Sequence, residues 1–181
     1  MQPLDLIDKY YAGHDMAKSI LLGHSRLVAD LALRVAGRIE TSDQVDKDFV
    51  EQAALLHDIG MLFTSTPNLH CHGNRPYIAH GIIGAEILRQ EGLQRHALVC
   101  ERHIGVGLSI EDIATQNLPL PLRDMRPQTL EEKIVAYADL FYSKTRPNMR
   151  TATMVRSALA RHGDYKVSIF DEWHRRFKPD P

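Results

Sequence analysis

Three observations predict an all-α fold for this chain. Apolar residues recur at three- and four-residue steps through nearly every long segment. Ser, Thr or Asp precede the periodic runs and Gly or Pro follow them, the chemistry of helix starts and stops. No run of useful length alternates with the two-residue period of a half-buried strand. The 181 residues suit a single compact helical domain over 1–181, with a chemically rich region at about 20–145 and two C-terminal helices within 148–178 packed on it.

The first long helix is predicted over 19–39, with Leu27, Val28, Leu31, Val35 and Ile39 on one buried stripe. Thr41, Ser42 and Asp43 offer turn and cap chemistry. The pattern resumes over 46–58 with Phe49, Val50, Ala53 and Ala54 inward, and Gly60 is expected to end that helix. Residues 64–76 lack periodicity and read as a long loop of the kind that often carries function. A helix is predicted over 77–91, with Ile83, Ile87 and Leu88 apolar and Gly92 as its stop. A short one follows over 94–104. Pro119 and Pro121 break 109–126 into a short helix and a loop. Thr129-Leu-Glu-Glu132 has the spacing of a capping box, opening a helix to about Lys144. Helices over 148–162, ending at Gly163, and from Asp164 onward, with Val167, Phe170, Trp173 and Phe177 inward, complete the chain.

Composition narrows function mainly by exclusion. Net charge is −1, with 22 Lys+Arg against 23 Asp+Glu, so bulk charge provides no coat for a nucleic-acid polymer or an anionic membrane. The charge is uneven: nine basic and four acidic residues follow Leu140. No apolar run approaches the ~20 residues of a membrane span, and the first ten residues lack the basic flank and apolar stretch of a signal peptide. Two cysteines, Cys71 and Cys100, exclude a disulfide scaffold and fit a reducing, cytoplasmic setting.

The ten histidines carry the chemical signal. Ala54-Leu-Leu-His-Asp-Ile-Gly60 ends an apolar helix on adjacent His57 and Asp58. Neighbouring helical side chains diverge by about 100°, yet at a helix end both can lean toward one ion. His24 lies one turn before Val28 on the core-facing stripe; alone, it reads as a satisfied core histidine. His80, His103 and Asp139 face inward on three further helices. An inward carboxylate is costly unless a cation compensates it. Six such groups on five helices are explained together by a shared metal centre, and imidazole plus carboxylate suits a borderline or hard divalent ion.

His24…His57-Asp58…Asp139 resembles the four-residue signature of the HD-domain metal-dependent phosphohydrolases, and His-Asp-Ile-Gly is its common local form. His80 and His103 resemble two further histidines of the subset that holds two metals. That resemblance implies the following. His24, His57, Asp58 and Asp139 would hold one ion; Asp58 would bridge to a second held by His80 and His103. Two divalent transition-metal ions, Fe or Mn favoured and Mg, Ni, Co or Zn admissible, would activate a bridging hydroxide and clamp a phosphoryl group, with Asp58 and His57 at the centre of catalysis. The substrate would be a small phosphate ester or anhydride of nucleotide type.

Relatives often carry Lys directly after the Gly of this stretch, where the chain has Met61. Phosphate contacts are therefore sought at Arg102, Lys144 and Arg146, and at His72, Asn74 and Arg75 of the 64–76 loop; a solvated surface charge is the plainer reading of each cation. His70-Cys-His72 also has the form of a separate soft-metal site, but without further ligands nearby it reads instead as part of a loop over the centre. A di-iron oxygenase on the same scaffold is the alternative function, and a non-catalytic ligand sensor a third. Nothing in the sequence specifies an oligomeric state.

Overall fold

The computed structural model describes residues 2–39, 44–146 and 148–177. The chain is helical nearly throughout. Helix α1 (Pro3–Tyr10) leads into α2 (Asp15–Ala36), α3 (Lys47–Leu56), α4 (His80–Gln90), α5 (Gln94–Arg102), α6 (Ile110–Thr115), α7 (Leu130–Asp139), α8 (Ala152–Ala160) and α9 (Asp164–Phe177). The all-α expectation holds, and among the described residues the only sheet is a hairpin of two-residue strands, β1 (Ser65–Thr66) and β2 (Cys71–His72), paired antiparallel.

Local chemistry explains most boundaries. Asp46 caps α3 by accepting from the Phe49 amide at 3.0 Å. Thr129 caps α7 in the same way, at 3.2 Å from the Glu132 amide. The capping box predicted there is only half made: the Glu132 carboxylate turns to the Gln128 amide and to Arg102 instead. A full box occurs at Ser109 and Asp112 at the start of α6. The expected caps Thr41, Ser42 and Asp43 lie outside the described residues.

Several predicted spans change. The sequence reading missed α1, whose buried Leu6 and Ile7 are too few to make a recognisable stripe. Residues 77–79 form a 3-10 turn before α4 begins at His80. Helix α7 stops at Asp139, five residues short of Lys144, and α8 starts at Ala152 because Thr151 caps it; the Arg150 amide instead donates to Phe141 O across the end of α7. The 64–76 loop is the hairpin, with a 3-10 turn at Pro67–Leu69 and His70 in the left-handed region.

Gly60 does not end α3, which closes at Leu56. It sits inside a 3-10 segment, Ile59–Phe63, packed on α4. A Cβ there would lie 2.2 Å from His80 O and 2.4 Å from Gly84 N, and one on Gly84 would lie 2.3 Å from Cys100 Sγ. The glycine pair lets two backbones meet where no side chain fits.

Among the described residues three buried apolar clusters result, a small one around Leu108, Ile113 and Met125 and two larger cores. One joins α2, α3 and α7 to α8 and α9 through Val28, Leu31, Val50, Val135, Phe141, Phe170 and Trp173. The other joins α1, the start of α2, the 59–63 segment, α4 and α5 through Leu6, Leu21, Ile59 and Leu88. On α2, Leu21 belongs to the second core and Val28 to the first, so His24 lies at the seam. Ala54 and Leu56 divide in the same way on α3, just before His57.

Candidate metal centre

The seam gathers the six His and Asp residues. His57 keeps helical dihedrals at the end of α3, whereas Asp58 moves to φ −109°, ψ 10° as the chain passes into the 3-10 segment. That change, rather than Gly60, brings two sequence neighbours to one point. Tyr11 secures the turn: its hydroxyl donates to Ile59 O and accepts from the Leu62 amide, both at 3.2 Å. Each such bond contributes about 1 kcal/mol.

Asp58 is fully buried and its two oxygens face different ways. Oδ2 lies 3.2 Å from His24 Nε2 and 3.1 Å from His57 Nε2. Oδ1 lies 3.1 Å from His80 Nε2 and 3.5 Å from His103 Nε2. Asp139, at the last residue of α7, places Oδ1 2.9 Å from His24 Nε2 and 3.5 Å from His57 Nε2. His80 and His103 present Nε2 atoms 3.0 Å apart.

Three of the imidazoles are oriented alike. Nδ1 of His57, His80 and His103 meets the carbonyl three residues back, on Ala54, Tyr77 and Cys100, at 2.7, 2.6 and 2.7 Å. Donation from Nδ1–H points each Nε2 into the centre, the usual support for a metal-ligating histidine. Tyr77 also stacks on the His80 ring, with centroids 4.6 Å apart.

This arrangement fits cations better than it fits itself. Neither Asp58 oxygen accepts a hydrogen bond of proper geometry. Imidazole nitrogens and carboxylate oxygens face one another at 2.9–3.5 Å. Ligands about 2.1 Å from one octahedral ion stand roughly 3.0 Å apart. Two groups can each hold an ion: His24, His57, Asp58 and Asp139, and Asp58, His80 and His103.

Without an ion, charge is balanced by the chain. Lys144 Nζ stands 2.6 Å from Asp58 Oδ2, its side chain 12% exposed. Burial works against the Asp58 charge, but His57 and Lys144 outweigh it and hold the carboxyl well below the usual range. Burial likewise opposes the charged form of His57, yet Asp58 and Asp139 raise it to about 10. On the other side burial prevails, and His103 falls to about 4.

The predicted phosphate contacts separate. Lys144 reaches the centre because α7 ends early and the chain turns back over it. A cleft of about 520 Å³ opens there, with Asp139, Lys144, Tyr77, Thr66, Asn68 and Arg150 in its walls. Arg102 is directed elsewhere: it pairs with both oxygens of the buried Glu132 at 3.0 Å. Arg146 is exposed beside the cleft rather than lining it. His72, Asn74 and Arg75 line a different cleft with His14 and Phe63, because the hairpin directs only its Thr66–Leu69 tip toward the centre. In His70-Cys-His72 the thiol is buried and both imidazoles are exposed, so they do not converge. Burial pushes the Cys71 thiol up to about 11, far from the thiolate a soft metal needs.

Tyr11, Tyr77 and Arg150 were not singled out from the sequence. Tyr77, three residues before His80, carried a usable signal, since a histidine's Nδ1 commonly finds the carbonyl one turn back. Tyr11 and Arg150 reach the site only through tertiary folding.

Residues 21–143 match the HD domain family. The chain belongs to that family. It is 43% identical over 118 residues to an uncharacterized protein of Methanocaldococcus jannaschii, covering 64% of this chain and 62% of that protein. It is 39% identical over 131 residues to a tRNA (cytidine(56)-2'-O)-methyltransferase of Picrophilus torridus, covering 72% of this chain and 33% of that protein. The chain thus spans about three-fifths of the first relative and a third of the second. Among solved structures, the HD domain of the L. monocytogenes phosphodiesterase PgpH, in complex with cyclic-di-AMP, superposes with a TM-score of 0.56. That match covers 97% of this chain and 88% of that one at 21% identity, and so speaks to the fold alone. As an HD domain, the chain has that fold together with a buried His/Asp cluster that could hold a divalent metal ion.

Proposed function

We propose that this HD domain is a phosphohydrolase or phosphodiesterase that cleaves a phosphate ester or anhydride of a small nucleotide. One observation carries the reading: Asp58 divides its two oxygens between two sets of inward imidazole nitrogens, with an open cleft and Lys144 beside them. In this reading His24, His57, Asp58 and Asp139 hold one divalent ion, and Asp58, His80 and His103 hold a second. Iron or manganese is favoured because the donors are imidazole and carboxylate without thiolate. Ions bound there supply an activated water and neutralise charge on the phosphoryl oxygens.

The chain's own groups do the remainder. Ala54, Tyr77 and Cys100 carbonyls fix the imidazole tautomers. Lys144 exchanges its contact with Asp58 for a phosphate oxygen, taking the role that Met61 leaves open: Met61 is fully buried in the second apolar core. No serine or cysteine nucleophile is required. The cyclic dinucleotide bound by the PgpH domain supports a nucleotide as substrate. The methyltransferase name belongs to a protein of which this chain spans only a third, and is not carried over.

The test is metal analysis of protein purified without chelator, followed by anaerobic assay on a panel of phosphorylated nucleotides with Mn or Fe restored, and by a separate O2-uptake assay in air with Fe. Close to two ions per chain and hydrolysis with Mn are expected. Silence on every phosphate with Mn, together with O2 consumption with Fe, would replace this reading with the oxygenase one.

A further inference from the structure

Beside the cleft lies a second hollow of about 370 Å³, whose walls are mostly aliphatic: Ile78, Ile104, Leu108, Leu140, Val155 and Leu159 among them. Its position is set by the metal centre. Leu140 directly follows Asp139, Ile104 directly follows His103, and Ile78 precedes His80 by two residues. The hollow and the cleft share Gly105, Leu140 and Arg150, so they adjoin along that line. Gly105 has φ +63°, a conformation that suits glycine, and a Cβ there would touch Leu159 Cδ2 at 3.9 Å.

Arg150 is the charged group at this join. Its amide is tied to Phe141 O at 2.8 Å, which fixes the backbone beside the end of α7. Its guanidinium has no carboxylate partner among the described residues, unlike Arg89, Arg95, Arg102, Arg123, Arg126 and Arg156. An unpaired guanidinium between a cation-binding cleft and an apolar hollow is suited to an anion that carries an apolar group. A volume of about 370 Å³ is near the lower limit of ligand pockets, enough for one flat ring system and its sugar.

Resting on the phosphohydrolase reading above, we propose that this hollow receives the single heteroaromatic base of a nucleoside phosphate, while Arg150 holds a phosphate oxygen at the join and the scissile phosphoryl group lies in the cleft. The aliphatic walls clasp the two faces of the ring and bury it. Recognition is therefore of a mononucleoside unit, or one arm of a dinucleotide, and owes more to burial of the base than to hydrogen bonds on its edge.

Binding to metal-free protein tests this apart from turnover. Adenosine, adenosine 5'-monophosphate, inorganic phosphate and octyl phosphate are titrated by calorimetry, and methyl NMR follows Ile78, Ile104 and Leu108 in the unaltered chain. Adenosine is expected to shift those methyls by its ring current. Arg150→Gln should weaken the monophosphate tenfold and leave adenosine unchanged. Ala158→Phe, which adds a ring to the wall of the hollow, should weaken both tenfold or more. The methyl shifts need no variant, so they decide the matter if Ala158→Phe fails to fold. Adenosine that leaves those methyls unmoved overturns the proposal, as does octyl phosphate binding where adenosine does not. If nucleotides bind with these dependences but are not hydrolysed once Mn or Fe is restored, the phosphohydrolase reading fails and the base site stands. If nucleotides are hydrolysed and a folded Ala158→Phe retains full kcat/KM, the base site fails and the hydrolase stands.

Discussion

The two sides of Asp58 are built from similar ligands but balance their charge differently. On the Oδ2 side, His24 and His57 share the space with a second carboxylate, Asp139, and with Lys144. Two anions face a protonated imidazole and an ammonium, so the metal-free protein is already neutralised there. On the Oδ1 side, His80 and His103 meet only one carboxylate oxygen, and burial keeps His103 neutral. An ion entering the first side must displace a proton and an ammonium. An ion entering the second finds His103 already neutral but less negative charge. The same residue types thus give one site that is strongly charged and proton-coupled, and one that carries less charge, with His103 held neutral.

Removing the shared residue should erase the difference. Asp58→Ala is expected to lose both ions and to lower turnover about a thousandfold or more, since the remaining imidazoles have no common anion. Metal analysis beside the activity assay checks this; retention of either ion would show that Asp58 is not shared. Next in size, His80→Ala and His103→Ala should each remove one ion and leave the other. Unchanged metal content in both would refute the second side altogether.

The proton coupling can be measured separately. His57 is raised to about 10, so its ion pairs stabilise the metal-free fold fully below its ordinary pKa of about 6.5 and are lost as pH rises through about 10. The melting temperature of metal-free protein should therefore fall between pH 7 and 10. Over the same range first-side metal affinity should rise by up to about tenfold per pH unit, because each ion expels one proton. Mn titration of His80→Ala, which retains the first side, should follow that slope. A flat profile would mean that His57 is neutral before metal arrives.

These contrasts also mark what the sequence could reveal. The six candidate ligands were legible from residue type and place: His24 before Val28, His103 after Val99 and Asp139 after Val135 lie one helical turn from an apolar anchor, His80 one turn before Gly84, and His57-Asp58 closes an apolar run. The helical architecture was legible from the same periodicity. The sharing of Asp58 between two sides came only from the family resemblance and not from any local pattern, because it depends on a φ of −109° as α3 passes into a 3-10 segment. Of the cleft walls, only Asp139 and Lys144 were named from the sequence. Lys144 arrives through a turn after α7, Arg102 is captured by Glu132 on a neighbouring helix, and the hairpin tip offers Thr66 and Asn68 where the sequence drew attention to His72 and Arg75. Such placements follow from long-range packing, which leaves no local period.

The smallest expected effect tests how the second side is held. Tyr77 supports His80 twice, through its carbonyl on Nδ1 and through a ring stacked 4.6 Å away and tilted by 27°. Burial raises the Tyr77 hydroxyl to about 12, so it stays protonated and neutral at every working pH. Tyr77→Leu keeps the carbonyl and removes the ring. Outer partners of metal ligands commonly contribute 10–100-fold in affinity; with the hydrogen bond retained, a loss of about tenfold or less is expected. It should fall on the second-side ion alone, because the first-side ligands do not touch this ring. Competitive titration with a metal indicator, with Tyr77→Leu placed in His24→Ala and separately in His80→Ala backgrounds, separates the two. Weakening only in the His24→Ala background would establish that stacking positions His80. Equal weakening in both would instead mean that Tyr77 acts on the whole centre through Lys144, whose ammonium lies 5.7 Å from the ring centroid.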